Sequence, residues 1–171
     1  MLFSSGLKLP AELADKLTGD FLSKVDKRRP ATELEDGSWL LLAKLGPVVV
    51  TEDETKFIGH WHEIQHAVWE SQTRMLIVRW VDPTREPWHG VTVARDAHKF
   101  MSQLEEFVEY AIVSSQRRTA DNGTMISASI RRGADGQLFS TLVADGPLDE
   151  QGKQLAREIE ANLRESVGLP L

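Results

Sequence analysis

Hydrophobic and polar positions alternate in two rhythms along the chain. Leu9, Leu13 and Leu17 recur every fourth residue behind Pro10, which predicts a short amphipathic helix over 10–17, with Gly19 as its stop. From about Phe21 to Ala94 the rhythm shortens to that of strands. The turn Glu35-Asp36-Gly37-Ser38 precedes a strand over 39–43, and Gly46-Pro47 breaks the chain before Val48-Val49-Val50. Acidic Glu52-Asp53-Glu54 predicts another turn, and Phe57-Ile58 begins a further strand. A strand over 61–69 and a turn at 71–74 lead into Met75-Leu76-Ile77-Val78-Arg79-Trp80-Val81, the segment richest in strand-favouring residues. Two prolines make 82–87 a loop, and 90–94 a short strand.

The helical rhythm returns over 95–110. Phe100, Leu104, Phe107, Val108 and Ala111 share one face there, and Asp96 is placed to cap the helix. Asn122-Gly123 and Asp135-Gly136 then predict two hairpins joining three strands. Pairing about those dipeptides puts Val113, Ile126, Ala128, Ile130, Phe139 and Val143 on a common apolar face. Gly146-Pro147 opens a final helix with Leu155, Ile159 and Leu163 as its buried stripe, ended by Gly168 and Pro170. The expected fold class is therefore α+β, divided into an N-terminal arm (1–21), a β-rich domain (22–109) and a βββα unit (110–171).

Composition changes this picture little. The 171 residues include no cysteine, so disulfides, iron–sulfur clusters and cysteine-ligated zinc are excluded. A net charge of −6 does not favour nucleic acid or an anionic membrane. No apolar run approaches the ~20 residues of a membrane span, and residues 1–10 lack the features of a secretory signal. A cytoplasmic location is the expectation.

Catalytic chemistry has one candidate. His62-Glu63-Ile64-Gln65-His66 matches H-E-x-x-H, which in zinc hydrolases sets two histidine ligands one helical turn apart beside a glutamate base. On that reading His62 and His66 hold the metal, and Glu63 activates water. His60 adds a third imidazole, and on a strand His60, His62 and His66 would share a face. Against it, positions 69 and 72 are Trp and Gln, so the extended motif lacks its third ligand, and the surroundings read as strand. The favoured expectation is a non-enzymatic module without cofactor, with these histidines as ordinary polar strand residues. Trp88, in a loop, is a candidate contact residue for a protein partner or a second copy. Arg117-Arg118 and Arg131-Arg132 are expected to face each other across the first hairpin as a basic patch, and Lys24, Lys27, Arg28 and Arg29 form another basic cluster.

Trp61-His62-Glu63-Ile64-Gln65-His66-Ala67-Val68-Trp69 followed by Met75-Leu76-Ile77-Val78 resembles the W-x-x-I-x-x-A-x-W … L-x-V pattern of small bacterial pleckstrin-homology-like proteins. More narrowly, the chain resembles an uncharacterised actinobacterial family. The likeness rests on Leu9-Pro10, Asp36-Gly37-Ser38-Trp39, Arg131-Arg132 and the aspartate-led helix from Asp145. It implies a pleckstrin-homology-like β-barrel or bent sheet over the N-terminal half, capped by the helix at 95–110, and no activity. It also implies that the basic cluster lies near the first strand connection, and that the histidines stand outside the shared pattern.

Overall fold

The computed structural model describes residues 8–20 and 22–171; the expected onset of the β-rich region at Phe21, and residues 1–7 of the N-terminal arm, lie outside them. The chain is α+β with three antiparallel sheets. It divides into two compact units, one holding the residues up to Trp80 with Arg85–Val108, the other Val81–Thr84 with Glu109–Leu171.

In the first unit, helix α1 (Ala11–Asp15) follows Pro10, whose ring fixes φ at −52° without requiring a donor. Strands β1 (Ala31–Glu33), β2 (Trp39–Leu42), β3 (Pro47–Val50) and β4 (Thr55–Phe57) form a meander in chain order. Register places Ala31, Leu41, Val48 and Phe57 in line across the sheet. That face buries Leu41, Val48 and Val50 with Leu9 and Ala14, so α1 and the segment before it cover it. Leu40 and Leu42 on the opposite face are equally inaccessible. β1 was not marked by any alternation, because Ala31-Thr32-Glu33 is too short to show one.

A second meander holds β5 (Ile64–Glu70), β6 (Met75–Trp80) and β7 (Trp88–Val91). β6 alternates as expected, with Leu76, Val78 and Trp80 buried. The two sheets meet along one seam, where Leu34 bridges Thr92 and Glu35 N–H donates to Val91 O at 2.8 Å. No closed barrel forms among the described residues. Helix α2 (His98–Ala111) begins three residues later than expected. Asp96 does cap it, accepting the His98 N–H at 3.0 Å. Its stripe Phe100, Leu104 and Val108 is buried, and Phe107 stacks on Trp61 with ring centroids 4.9 Å apart.

The second unit is βββα: β8 (Ile112–Thr119), β9 (Met125–Arg132), β10 (Leu138–Ala144) and α3 (Glu150–Ser166), with β9 central. Asp149 caps α3 by accepting the Gly152 N–H at 2.7 Å. The sheet face toward α3 carries Ile126, Ala128 and Ile130 against Ala156, Ile159 and Leu163.

Val113, Phe139 and Val143 are not on that face, contrary to expectation. Each loop is one residue longer than a two-residue turn about its dipeptide. Ala120 N–H bonds Thr124 O and Gly133 N–H bonds Gln137 O, with Gly123 and Gly136 at φ +86° and +81° as the third loop residue. A one-residue slip of register exchanges the faces of a strand. Phe139 consequently lies opposite Arg131, and Val143 opposite Ser127.

Candidate functional site

The H-E-x-x-H segment is not an α-helix. Trp61–Glu63 form a single 3₁₀ turn, and β5 starts at Ile64. The one-turn spacing that brings His62 and His66 together in a zinc hydrolase is therefore absent. The strand expected from Trp61 also starts three residues late, and a bulge falls between Ile64 and His66. His60, His62 and His66 accordingly do not share a strand face. The His60 and His62 rings stack with centroids 5.0 Å apart, while His66 lies opposite Arg79 on β6. Among the described residues, no group of three or more His, Cys, Asp or Glu side chains is arranged to hold a metal ion.

Glu63 is engaged structurally. Its Oε2 accepts the His60 N–H at 2.6 Å, the carboxylate half of a capping box, and lies 3.6 Å from Arg85 Nη1. Arg85 in turn stacks its guanidinium 3.6 Å over the Trp80 ring and donates to Ile58 O. Trp80 also covers Gly59, where a Cβ would come within 2.7 Å of the indole. Trp61 and Trp80 satisfy their indole N–H groups on Ala43 O and Glu86 O, at 3.0 and 2.9 Å. A rigid aromatic–arginine cluster thus fixes the turn. Sequence reading missed Arg85, which sits in the two-proline loop far from the motif.

The remaining expected residues fall at separate places. Trp88 is the first residue of β7 and half-buried; its ring lies over Gly90, where a Cβ would meet it at 2.5 Å. The strand expected over 90–94 is thus displaced toward Trp88. Arg117 and Arg118 are exposed on β8, opposite Ser127 and Ile126 near the turn, while Arg131 pairs with Ile112 at the open end of the hairpin. The two arginine pairs are offset by about 13–20 Å along the sheet, four to six residues at a rise of about 3.3 Å each, so they do not face each other. Arg131 is 2% exposed and donates from Nε to Ser129 Oγ at 3.1 Å; burial pushes its pKa down to about 10. It remains a cation at neutral pH, held inside the protein instead of offered to a ligand. The basic cluster precedes β1 instead of lying at a strand connection. Within it Lys27 pairs with Asp15 at 3.4 Å and Arg29 with Asp26 at 2.8 Å.

The C-terminal unit carries an uncharged terminal strand beside an open cleft. β10 ends its sheet and carries no charged residue. Beside it, Arg157, Glu160, Ala161, Arg164 and Leu171 line an open cleft of about 320 Å³. Ser140 on β10 joins this cleft: its hydroxyl accepts from Arg164 Nη1 at 2.8 Å and donates to Glu160. Sequence reading missed this arrangement, since it depends on the β10 register. An uncharged seven-residue strand was the one available signal.

No protein-family model, no curated protein and no solved structure matches the chain.

Proposed function

We propose that this chain is a non-enzymatic interaction module that binds a protein partner or a second copy of itself. Its N-terminal half is read as pleckstrin-homology-like. A four-strand meander, a three-strand meander and a helix follow one another in the order such a domain uses, and β1 meets the end of β7. On this reading the two sheets bend toward each other along that seam, with α2 in the place of the capping helix. A cytoplasmic location belongs to the same proposal; among the described residues no helix is long and apolar enough to cross a membrane.

The observation that carries the reading is β10, an uncharged strand that ends its sheet beside the α3 cleft. Extended segments dock on such edges by adding a strand. The separation of Arg117-Arg118 from Arg131, and the burial of the latter, support a protein partner over nucleic acid.

The test uses the full chain and Leu142→Lys, which places a charge on the exposed side of the edge. Sedimentation velocity and affinity capture are run on both. Self-association, or capture of a defined protein, that is lost in Leu142→Lys supports the reading. A wild-type chain that stays monomeric and captures nothing overturns it.

A further inference from the structure

Asn122-Gly123 is the sole asparagine–glycine step in the chain; the other asparagine, Asn162, precedes Leu163. Such a step reacts with itself. The glycine main-chain nitrogen attacks the asparagine side-chain amide carbon, and the bond from that carbon to the amide nitrogen breaks. Ammonia leaves, carrying the proton lost by the attacking nitrogen. Water then adds to one carbonyl carbon of the resulting succinimide, that carbon's bond to the ring nitrogen breaks, and a carboxylate is left. The product is aspartate, or isoaspartate where the chain stays linked through the side-chain carbonyl. Glycine permits the attack because it has no Cβ to obstruct it.

In the folded chain the reacting atoms are held elsewhere. The attacking nitrogen, Gly123 N–H, donates to Ala120 O at 2.9 Å. The departing nitrogen, Asn122 Nδ2, donates to Pro147 O at 2.8 Å. Asn122 Oδ1 accepts the Thr124 N–H at 3.0 Å. This last bond alone would favour attack, by polarising the amide carbonyl. The other two oppose it and win, because the nucleophile must leave Ala120 and the side chain must turn from Pro147 before the new C–N bond forms. Pro147 O is itself fixed, since Thr124 Oγ1 donates to it at 2.9 Å, and nearby Asp145 Oδ1 accepts the Met125 N–H at 2.6 Å.

We propose that Asn122 is a self-modification site kept unreacted by this clamp, converting to aspartate or isoaspartate whenever Pro147 lets go. Asn122 is exposed, so water and base reach it once the clamp opens. The product cannot rebuild the clamp. A carboxylate has no proton to give Pro147 O and sets negative charge against that oxygen. Isoaspartate also lengthens the main chain inside a loop whose ladder closes at Ala120 and Thr124. The segment leading from β10 into α3 thereby loses an anchor, so the mark is one-way and records past opening of the second unit. The chemistry needs no partner and no cofactor.

The full chain is incubated in warm, mildly alkaline buffer, folded and in urea, and residue 122 is followed by peptide mass spectrometry, with isoaspartate resolved by chromatography. Pro147→Ala and Pro147→Gly keep the carbonyl but loosen its position progressively, and far-UV circular dichroism shows which of them fold. Conversion of Asn122 should be at least about tenfold slower in folded wild type than in the unfolded chain, as the opening of two ordinary hydrogen bonds implies. A folded Pro147 variant should convert faster than folded wild type. Equal rates in folded and unfolded wild type overturn the proposal, as does an unfolded chain that leaves Asn122 intact. A folded Pro147 variant that reacts at the wild-type rate overturns it too, since the clamp is then not the gate. Should neither Pro147 variant fold, Asn122→Asp supplies the second measurement. Residues 145–149 should exchange their amide hydrogens faster in Asn122→Asp than in wild type, and unchanged exchange there overturns the clamp.

Discussion

Asp26 is completely buried, and its carboxylate ties the 3₁₀ turn Asp26–Arg28 to the chain on either side. Oδ2 accepts the Ser23 N–H at 2.6 Å and the Ser23 hydroxyl at 2.9 Å. Oδ1 accepts the Lys44 N–H at 2.8 Å, across 18 residues, and lies 2.8 Å from Arg29 Nε. Asp26→Ala leaves the Lys44 amide without its acceptor and strands the Arg29 cation. Removing one partner of a buried ion pair costs about 3–5 kcal/mol. The Arg29 side chain is 23% exposed and regains some water, so about 3 kcal/mol is expected here. Asp26→Asn keeps one acceptor oxygen but turns a donor toward donors, and should cost about 2 kcal/mol. Urea unfolding followed by tryptophan fluorescence is the suitable assay. All five tryptophans, at positions 39, 61, 69, 80 and 88, belong to the first unit, so the signal reports that unit alone. With a slope of about 1–3 kcal/mol per molar urea, the midpoint should fall by about 1–3 M in Asp26→Ala. A loss below about 1 kcal/mol would refute the account of Asp26 as a buried hub, since that is the cost of one ordinary hydrogen bond.

The other predictions test separate parts of the fold. Glu63→Ala should lower stability by about 1 kcal/mol through loss of its cap on the His60 amide, and Glu63→Gln by less, both read by fluorescence-detected melting; equal and large losses would count against the capping role. Ser38, through its hydroxyl and then its main-chain N–H, holds the Asp36 carboxyl below its ordinary pKa of 3.8. A depressed folded-state value stabilises above the unfolded pKa and loses that contribution as pH falls through the folded one, so the melting-temperature gap between wild type and Asp36→Ala should be widest near neutrality and narrow below about pH 4; a constant gap contradicts this. Gly46→Ala should destabilise the first unit by about 3 kcal/mol or more, measured by urea titration, because its Cβ would sit 1.8 Å from Gly59 O and force two backbones apart.

Elements set by local chemistry were legible in the sequence. β6, α2 and α3 show their periods, and Asp96 caps α2 as its residue type suggests, whereas α3 opens at Glu150 behind an Asp149 cap instead of at Gly146-Pro147. Asn122-Gly123 and Asp135-Gly136 do mark the turns. Their loop length was not legible, because it depends on where the ladder closes, at Ala120–Thr124 and Gly133–Gln137. That single residue moved Phe139 and Val143 across the sheet and, with them, the position of Ser140 beside Glu160 and Arg164. Trp88 was read as loop from its prolines. The space over Gly90 that seats its ring exists only once β7 is paired with β6.

The motif at 62–66 shows why a short pattern needs its backbone. On a helix, Glu63 would lie between two histidines one turn apart and be free to act on water. Here the residues before it decide otherwise. Gly59 adopts φ +159°, pressed under the Trp80 ring, and His60 is extended at φ −79°, ψ 154°. A chain arriving in that conformation presents the His60 N–H toward Glu63, and the carboxylate takes it at 2.6 Å. Arg85, seated on Trp80, approaches the same oxygen and offsets its charge. Ile64 then enters β5 fully buried opposite Trp80, which commits the following residues to a ladder instead of a helix. Its burial opposes any return to the helical form, since burying an isoleucine stabilises by about 2 kcal/mol. The same five letters therefore encode a capped turn and a strand entry, and the residues that select this outcome, Gly59, Trp80 and Arg85, lie outside the pattern.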